Sequence, residues 1–568
     1  MWYYLYMPSI IGKKQAGKTY YYLVESARVN GKPRIVSQKY LGSAEEVMAR
    51  LDGGSPGDPT SSLHRSFGDL AAVWTVLDRL GVIAIIDEVI GEPRSDTQVS
   101  VGTYIALATL NRVVAPCSKL AFSEWWATTA GDRLVRLSVP ARDHRRFWDA
   151  MDAISPAQLT QIERRLSAVM VDQFCLDLSG LVLDMTNFAT YIDSNNVRSP
   201  IAQRGHAKQR RNDLRLVGLG LVVSTDGAVP LLSHAYPGNR HDATQFADVL
   251  EELITRWGAL AKNTDQLTLV YDAGQDSEAN QNAVALSPLH FVGSLPPAQH
   301  RDLLAVARRR YRVVDPERFP GLRAFEARVV ALGGDYRVVV THSDTLHAKQ
   351  RRGFDQTLAK ATGQLSELAD RLARGRTRKD RPGVEAEIAR ITRPRWVGRV
   401  VTWALSGTGP KDFALSFDVD EASRRQLEDE LFGKRILFSD REDWSVADVV
   451  GAYRSQHHVE SDFRQMKDRQ VVSFSPMFHW TDSKIRVHVF YCVLALAVAK
   501  LMVREVRQSS MDMSVREMLA TLAGIEETVL FYKGDRGRPR ARRLLTEMDP
   551  TQQRLYDLFG LDAYAPKR

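Results

Sequence analysis

The sequence predicts an α/β protein: a mixed sheet interrupted by a large insertion, preceded by a small β module and an all-α stretch. Three observations predict it. Residues 180–295 alternate apolar strand runs with helical spacing in the order βββαβαβ, residues 64–175 keep helical spacing throughout, and residues 1–45 hold three strand-like runs divided by Gly, Lys and Asn turn chemistry. The 568 residues are 44% hydrophobic and 26% charged, which matches a globular chain and excludes mainly disordered, collagen-like or coiled-coil proteins.

Taken in order, residues 1–50 are the β module, and residues 51–63, rich in Gly, Pro, Ser and Asp, read as a linker. Residues 63–175 form the helical region, with Leu70, Val73, Val76, Leu77 and Leu80 on one face. Residues 176–300 hold the first part of the core, with strands expected at 181–184, 214–224, 229–235, 267–271 and 290–295 and a helix at 242–257. Short connections make the first three strands an antiparallel meander, and helical crossovers make the later ones parallel. Residues 301–440 read as an insertion with strand pieces at 311–314, 327–331, 336–341 and 397–404. They surround a helix whose Phe354, Leu358, Ala361, Leu365, Leu368 and Leu372 alternate spacings of 4 and 3, the seam of a hairpin or coiled-coil arm. Residues 441–510 return to the core, and 511–568 read as a basic helical region.

Lys and Arg number 77 against 68 Asp and Glu, a formal +9 that suits a polyanion partner and an ordinary basic enzyme equally. Cys117, Cys175 and Cys492 are too far apart for zinc spacing and too few for a disulfide framework, which points to a reducing compartment. No basic stretch precedes an apolar core at the N-terminus, so no secretory signal is read. The longest apolar run, residues 489–499, falls short of the ~20 residues of a bilayer span. A buried core helix in a cytoplasmic protein without membrane partners is expected.

Three motifs carry candidate chemistry. Gly12 to Thr19 satisfies the phosphate-loop pattern, but that loop needs a helix N-terminus directly after it, and Tyr20-Tyr21-Tyr22-Leu23-Val24 are strand formers. A hairpin turn is the better account, and no nucleotide is expected. Asp184 follows the apolar run Leu181-Val182-Leu183, and Asp272 ends a second run at 267–271. Two strand-end aspartates on neighbouring strands share one crevice and suit a hard cation such as Mg²⁺, although each alone also reads as a turn residue. Finally, Tyr453, Gln456, Glu460, Arg464 and Lys467 recur at spacings of 3, 4, 4 and 3, one face of a helix. By pattern alone that face is equally a solvated one with a Glu460–Lys467 pairing.

The third motif, Tyr453-x2-Gln456-x3-Glu460-x6-Lys467, resembles the Y-x2-R-x3-E-x6-K signature of DDE transposases of bacterial insertion sequences, in the IS-four superfamily. The resemblance extends through Gln203-Arg204-Gly205-His206, Tyr236-Pro237-Gly238-Asn239 and residues 478–486, covering 176–505 well and 1–50 loosely. It departs at Gln456, where the signature has Arg, and at Ala273-Gly274-Gln275 after the second aspartate. The resemblance implies an RNase H-like core in which Asp184, Asp272 and Glu460 hold two Mg²⁺ ions, with Mn²⁺ as a substitute. It implies cleavage at transposon ends and joining of the freed 3′-hydroxyls to target DNA, in a bacterial cytoplasm. The helical region would help bind terminal inverted repeats of double-stranded DNA, and the working form would be a homodimer on DNA. DNA contacts are expected from Tyr453, Gln456, Arg464 and Lys467 on the helix, and from Arg204, Lys208, Arg210 and Arg211 between the first two core strands. A nuclease without strand transfer, or a catalytically inactive DNA-binding descendant, remains open on the same residues.

Overall fold

The computed structural model describes residues 7–15, 17–29, 32–52, 58–91, 97–193, 195–205, 213–260, 267–272, 274, 277–533 and 540–567. At the N-terminus, β1 (Met7–Gln15), β2 (Lys18–Val29) and β3 (Lys32–Ser43) form an antiparallel sheet followed by α1 (Ala44–Asp52). The Gly12–Thr19 segment is the β1–β2 hairpin: Gln15 pairs with Lys18, and Gly17 takes the left-handed φ of +78° that a tight turn demands. Its backbone groups belong to the ladder, and a strand follows where a phosphate loop needs a helix.

Next, β4 (Ser61–Ser66) leads into α2 (Gly68–Arg79), α3 (Val82–Ile90), α4 (Val101–Val114), α5 (Phe122–Ala127), α6 (His144–Asp152) and α7 (Pro156–Gln173). Leu70, Val73, Val76, Leu77 and Leu80 are all buried, as their spacing predicts. Ser155 starts α7 with a capping box to Gln158.

The core follows the expected order: β5 (Gly180–Thr190), β6 (Arg215–Ser224), β7 (Pro230–Pro237), α8 (Asp242–Leu260), β8 (Thr268–Val270), α9 (Glu278–Ala285) and β9 (His290–Leu295). In space the strands run β7-β6-β5-β8-β9. The first three are antiparallel, while β8 and β9 lie parallel to β5 because helices carry the chain back between them. Nine of the ten residues of β6 are buried, the mark of a strand covered on both faces.

Beyond β9 the sheet does not stop. The chain passes α10 (Arg301–Leu304), β10 (Arg312–Val313), β11 (Leu322–Ala331) and β12 (Gly334–Ser343). It then enters α11 (Asp344–Ala373), α12 (Arg381–Thr392), α13 (Val397–Val400), β13 (Val401–Ser406), β14 (Ala414–Val419) and α14 (Glu421–Leu431), and returns as β15 (Lys434–Ser439). Strands β15, β12, β11 and β10 extend the core sheet to nine strands, so the expected insertion over 301–440 contracts to residues 344–433. Those residues have a core of their own, built on the predicted seam Phe354, Leu358, Ala361, Leu365, Leu368 and Leu372 against Val384, Ile388 and Phe432. The strand expected at 397–404 starts only at Val401. Val397 and Val400 read as strand formers, but both are buried in that second core as an i, i+3 helical pair.

The chain closes with α15 (Val446–Arg454), α16 (Gln456–Met466), α17 (Asp482–Gln508), α18 (Val515–Ala523), β16 (Glu526–Tyr532), β17 (Arg540–Leu545) and α19 (Pro550–Leu558). The region expected to be basic and helical therefore also contains strands: β16 lies between β17 and β4 in a three-stranded sheet. Pairing with a strand over 450 residues away is a tertiary fact that no local pattern announces.

The apolar run at 489–499 is the middle of α17, whose 27 residues are long and apolar enough to cross a membrane by length and composition, yet 89% of that window is buried inside the protein. Its cations are paired at the margins: Lys484 with Asp152, Lys500 with Asp462, and Arg504 with Asp226. Each buried Leu, Val or Met along it contributes roughly 1.5–3 kcal/mol. This helix is the strut on which the helical region, β7 and α16 are mounted.

Two glycines explain why the Gln203-Arg204-Gly205 and Tyr236-Pro237-Gly238 segments have the sequences they do. A Cβ on Gly238 would lie 2.0 Å from the Leu216 carbonyl oxygen, and one on Gly205 would lie 2.4 Å from the Gly238 oxygen. The two loops meet backbone to backbone. Gly238→Ala is expected to cost about 1–3 kcal/mol by overpacking, read as a lowered urea midpoint with an unchanged slope.

Candidate functional site

Strands β5 and β8 pair in parallel with Val182 opposite Val270, so Asp184 and Asp272 each lie two residues past the same rung. Asp184 is not the strand end expected, because β5 runs on to Thr190 along β6, and only Asp272 lies past the end of its strand. A separation of two residues along a strand returns a side chain to the same face. Asp184 is half-buried and Asp272 exposed. The Oδ1 of Asp184 accepts from the Met185 amide at 2.7 Å.

Asp272 is held by hydroxyl groups from two further elements. Ser294 Oγ on β9 donates to its Oδ1 at 2.8 Å, and the Tyr453 hydroxyl on α15 donates to the same oxygen at 2.9 Å. The two hydroxyls are 3.1 Å apart. Helix α15 begins at the Ser445 cap, which accepts from the Asp448 amide and sets the register that brings Tyr453 inward. Burial, and then the charge of Asp272, push the Tyr453 hydroxyl up to about 12, so it stays a donor across the neutral range. Tyr453→Phe is expected to lower any activity of this site by roughly 10–100-fold, because it removes a hydrogen bond that orients the Asp272 carboxylate. Retained fold, checked by circular dichroism, separates that effect from unfolding.

Helix α16 crosses β5 and is fixed at both ends. Gln456 Nε2 donates to the Leu183 carbonyl at 3.3 Å, and Lys467 Nζ donates to Thr186 Oγ1 at 2.9 Å. Glu460, four residues after Gln456 and seven before Lys467, shares their face and is therefore carried over the stretch of β5 that holds Asp184. Glu460 is exposed and lines, with Asp272, Tyr453 and Gln456, one cleft of about 580 Å³. Among the described residues, no three His, Cys, Asp or Glu side chains stand within ligating reach of one point.

Several expectations change on these contacts. Tyr453 to Lys467 is not one continuous helix face: the chain breaks at Ser455, whose amide bonds both the Gly451 and Ala452 carbonyls, so Tyr453 sits on α15 and the rest on and just after α16. Tyr453 and Gln456 are each only 6% exposed, their polar atoms aimed at Asp272 and at β5, which removes them from the expected DNA contacts. The solvated-face alternative falls with them, and Lys467 turns to Thr186 rather than to Glu460. Arg464 and Arg204 are exposed, as a DNA contact requires. Lys208, Arg210 and Arg211 lie outside the described residues, as do Ala273 and Gln275.

Sequence reasoning missed Ser294 and named Tyr236 only within the resembling segment 236–239, with no role. Ser294 was legible only as a hydroxyl inside an apolar strand, Phe291-Val292-Gly293-Ser294-Leu295. The Tyr236 hydroxyl donates to Asp242 Oδ1 at 2.7 Å. Burial, then the charge of Asp242 and the carboxylate of Asp184, push its pKa far above the phenol range.

Fold and site together define a mixed α/β protein with one carboxylate inside β5 and another just past the end of its parallel neighbour β8, beside a helix pinned to β5. No protein-family model matches the chain, and no curated protein sequence is similar to it. A solved structure, a cryo-EM structure of the piggyBac transposase synaptic complex with hairpin DNA, is similar over 82% of this chain and 82% of that one, at 9% identity and a TM-score of 0.37.

Proposed function

We propose that this protein is a DDE transposase of the bacterial IS-four type. In this reading it cuts the ends of an insertion sequence and joins the 3′-hydroxyls to target DNA by phosphoryl transfer. The observation that carries the reading is the shared rung of Asp184 and Asp272 on adjacent parallel strands, together with the cleft that Asp272 and Glu460 both line. The β7-β6-β5-β8-β9 run, three antiparallel strands and then two parallel crossovers, supports an RNase H-like core.

Two aspartates and a glutamate are an all-oxygen donor set, which suits Mg²⁺ or Mn²⁺. When bound, two such ions supply activation of an attacking oxygen and charge stabilisation of the leaving one. The chain's own contribution is orientation: Ser294 and Tyr453 hold the Asp272 carboxylate, and Gln456 and Lys467 hold the Glu460 helix. Duplex DNA is the proposed partner, reached by Arg464, Arg204 and the Lys208, Arg210 and Arg211 run, with a homodimer bringing two ends together.

The test is joining of pre-cleaved donor ends to a plasmid with Mg²⁺. Joined product lost on Asp184→Ala, Asp272→Ala and Glu460→Ala supports the transposase, cleavage without joining leaves a nuclease, and wild-type-like joining by any of the three variants refutes the site. A second reading, a DNA-binding descendant without chemistry, is favoured by the lack, among the described residues, of three acidic groups within ligating reach of one point. Calorimetric titration with Mn²⁺ decides: carboxylate-dependent binding excludes it.

A further inference from the structure

The cleft that holds Asp272 and Glu460 has a second wall of opposite sign. Arg395 in the insertion, Arg435 on β15 and Arg454 at the end of α15 all line it. Each guanidinium lies over an aromatic ring: Arg395 over Trp396 at 4.2 Å, Arg435 over Tyr453 at 5.5 Å and Arg454 over Phe319 at 4.6 Å. All three residues are exposed, and among the described residues none has a carboxylate within ion-pair distance. Burial, and then the like charge of Arg435, hold Arg454 below the usual guanidinium range, so two cations are kept near one another with no anion between them. Lys434 beside them is otherwise engaged, its ammonium donating to the Leu304 carbonyl.

Like charges converging in a cleft cost free energy unless an anion joins them, and guanidinium forks match phosphate oxygens. Among the described residues these arginines have no ion pair within the protein, so an anion from outside fits between them. We infer that Arg435 and Arg454, with Arg395 from the insertion, form a binding wall for the phosphates of a nucleic-acid strand running past Asp272 and Glu460. This rests on the proposed function and assigns the strand grip to β15, α15 and the insertion. The residue at the signature's arginine position, Gln456, is buried against Leu183 and cannot supply it.

The test is the salt dependence of binding by the full chain to a duplex oligonucleotide of arbitrary sequence. Loss of two phosphate contacts in the Arg435→Gln/Arg454→Gln double variant is expected to flatten the slope of log K against log salt by about 1.8. The Arg435→Lys/Arg454→Lys variant keeps the charge and is expected to keep the slope. Arg328→Gln, which removes a guanidinium already paired with Asp335 and Glu442, is expected to leave it unchanged. An unchanged slope in the glutamine double variant, with wild-type protein binding DNA, overturns the wall and leaves the transposase reading standing. Failure of the wild-type protein to bind DNA overturns both. Inorganic phosphate is the third arm: saturable phosphate binding lost in the double variant while DNA binding is untouched makes this a small-anion site and overturns the strand assignment.

Discussion

On the proposed transposase reading, alanine at Asp272 is expected to reduce Mg²⁺-supported DNA cleavage by on the order of 10³-fold, equivalent to about 4 kcal/mol of transition-state stabilisation, while end binding stays near wild type. The asymmetry follows from the geometry. Asp272 is a short side chain at a strand end, held by Ser294 and Tyr453, and its removal takes away an anionic oxygen donor without touching the exposed arginines. Asp184→Ala and Glu460→Ala are expected to fall equally far, and any two together no further, because groups serving one site fail as a unit. Gel assays of cleavage and filter binding of end DNA read the two effects separately. Cleavage within tenfold of wild type by the Asp272 variant removes the carboxylate from the mechanism.

Lys500→Met is expected to destabilise the protein by about 3–5 kcal/mol, because it leaves a carboxylate buried without its partner. Asp462, on the Glu460 helix, has a fully buried side chain, and its Oδ1 meets Lys500 Nζ of α17 at 2.5 Å. Urea unfolding at pH 7 measures the loss, and Asp462→Asn/Lys500→Met is expected to recover most of it. Burial raises Asp462 from 3.8 to about 6 even with Lys500 nearby. A carboxyl whose folded pKa lies above its unfolded one binds its proton more tightly in the folded state. Its contribution is complete below about pH 4 and is lost as pH rises through about 6, a swing of about 3 kcal/mol. Asp462→Asn is expected to flatten the stability profile across that window. A cost below 1 kcal/mol for Lys500→Met contradicts the burial argument.

How much of this was legible beforehand depended on the range of the signal. The βββαβαβ order, the buried stripe of α2 and the six-residue seam of α11 are periodicities within single elements, and burial reproduces them residue by residue. Asp184 and Asp272 were legible because each closes an apolar run. Glu460 was legible only through its motif, since by spacing alone its helix read equally well as solvated. What misled was the assumption that a polar residue on a polar face meets solvent or ligand: Tyr453 and Gln456 turn inward to a carboxylate and a carbonyl.

The sequence by itself determined the order of the core strands and helices over 180–295, the buried stripe of α2 and the seam of α11, because side-chain periodicity and local turn chemistry are written within a few residues. Only the tertiary structure decided that β10, β11, β12 and β15 extend the core sheet, that β16 closes on β4, and that Arg395, Arg435 and Arg454 face Asp272 and Glu460 across one cleft. Those are pairings between segments up to hundreds of residues apart, set by which surfaces bury best against each other once the whole chain has collapsed, and no local pattern encodes them.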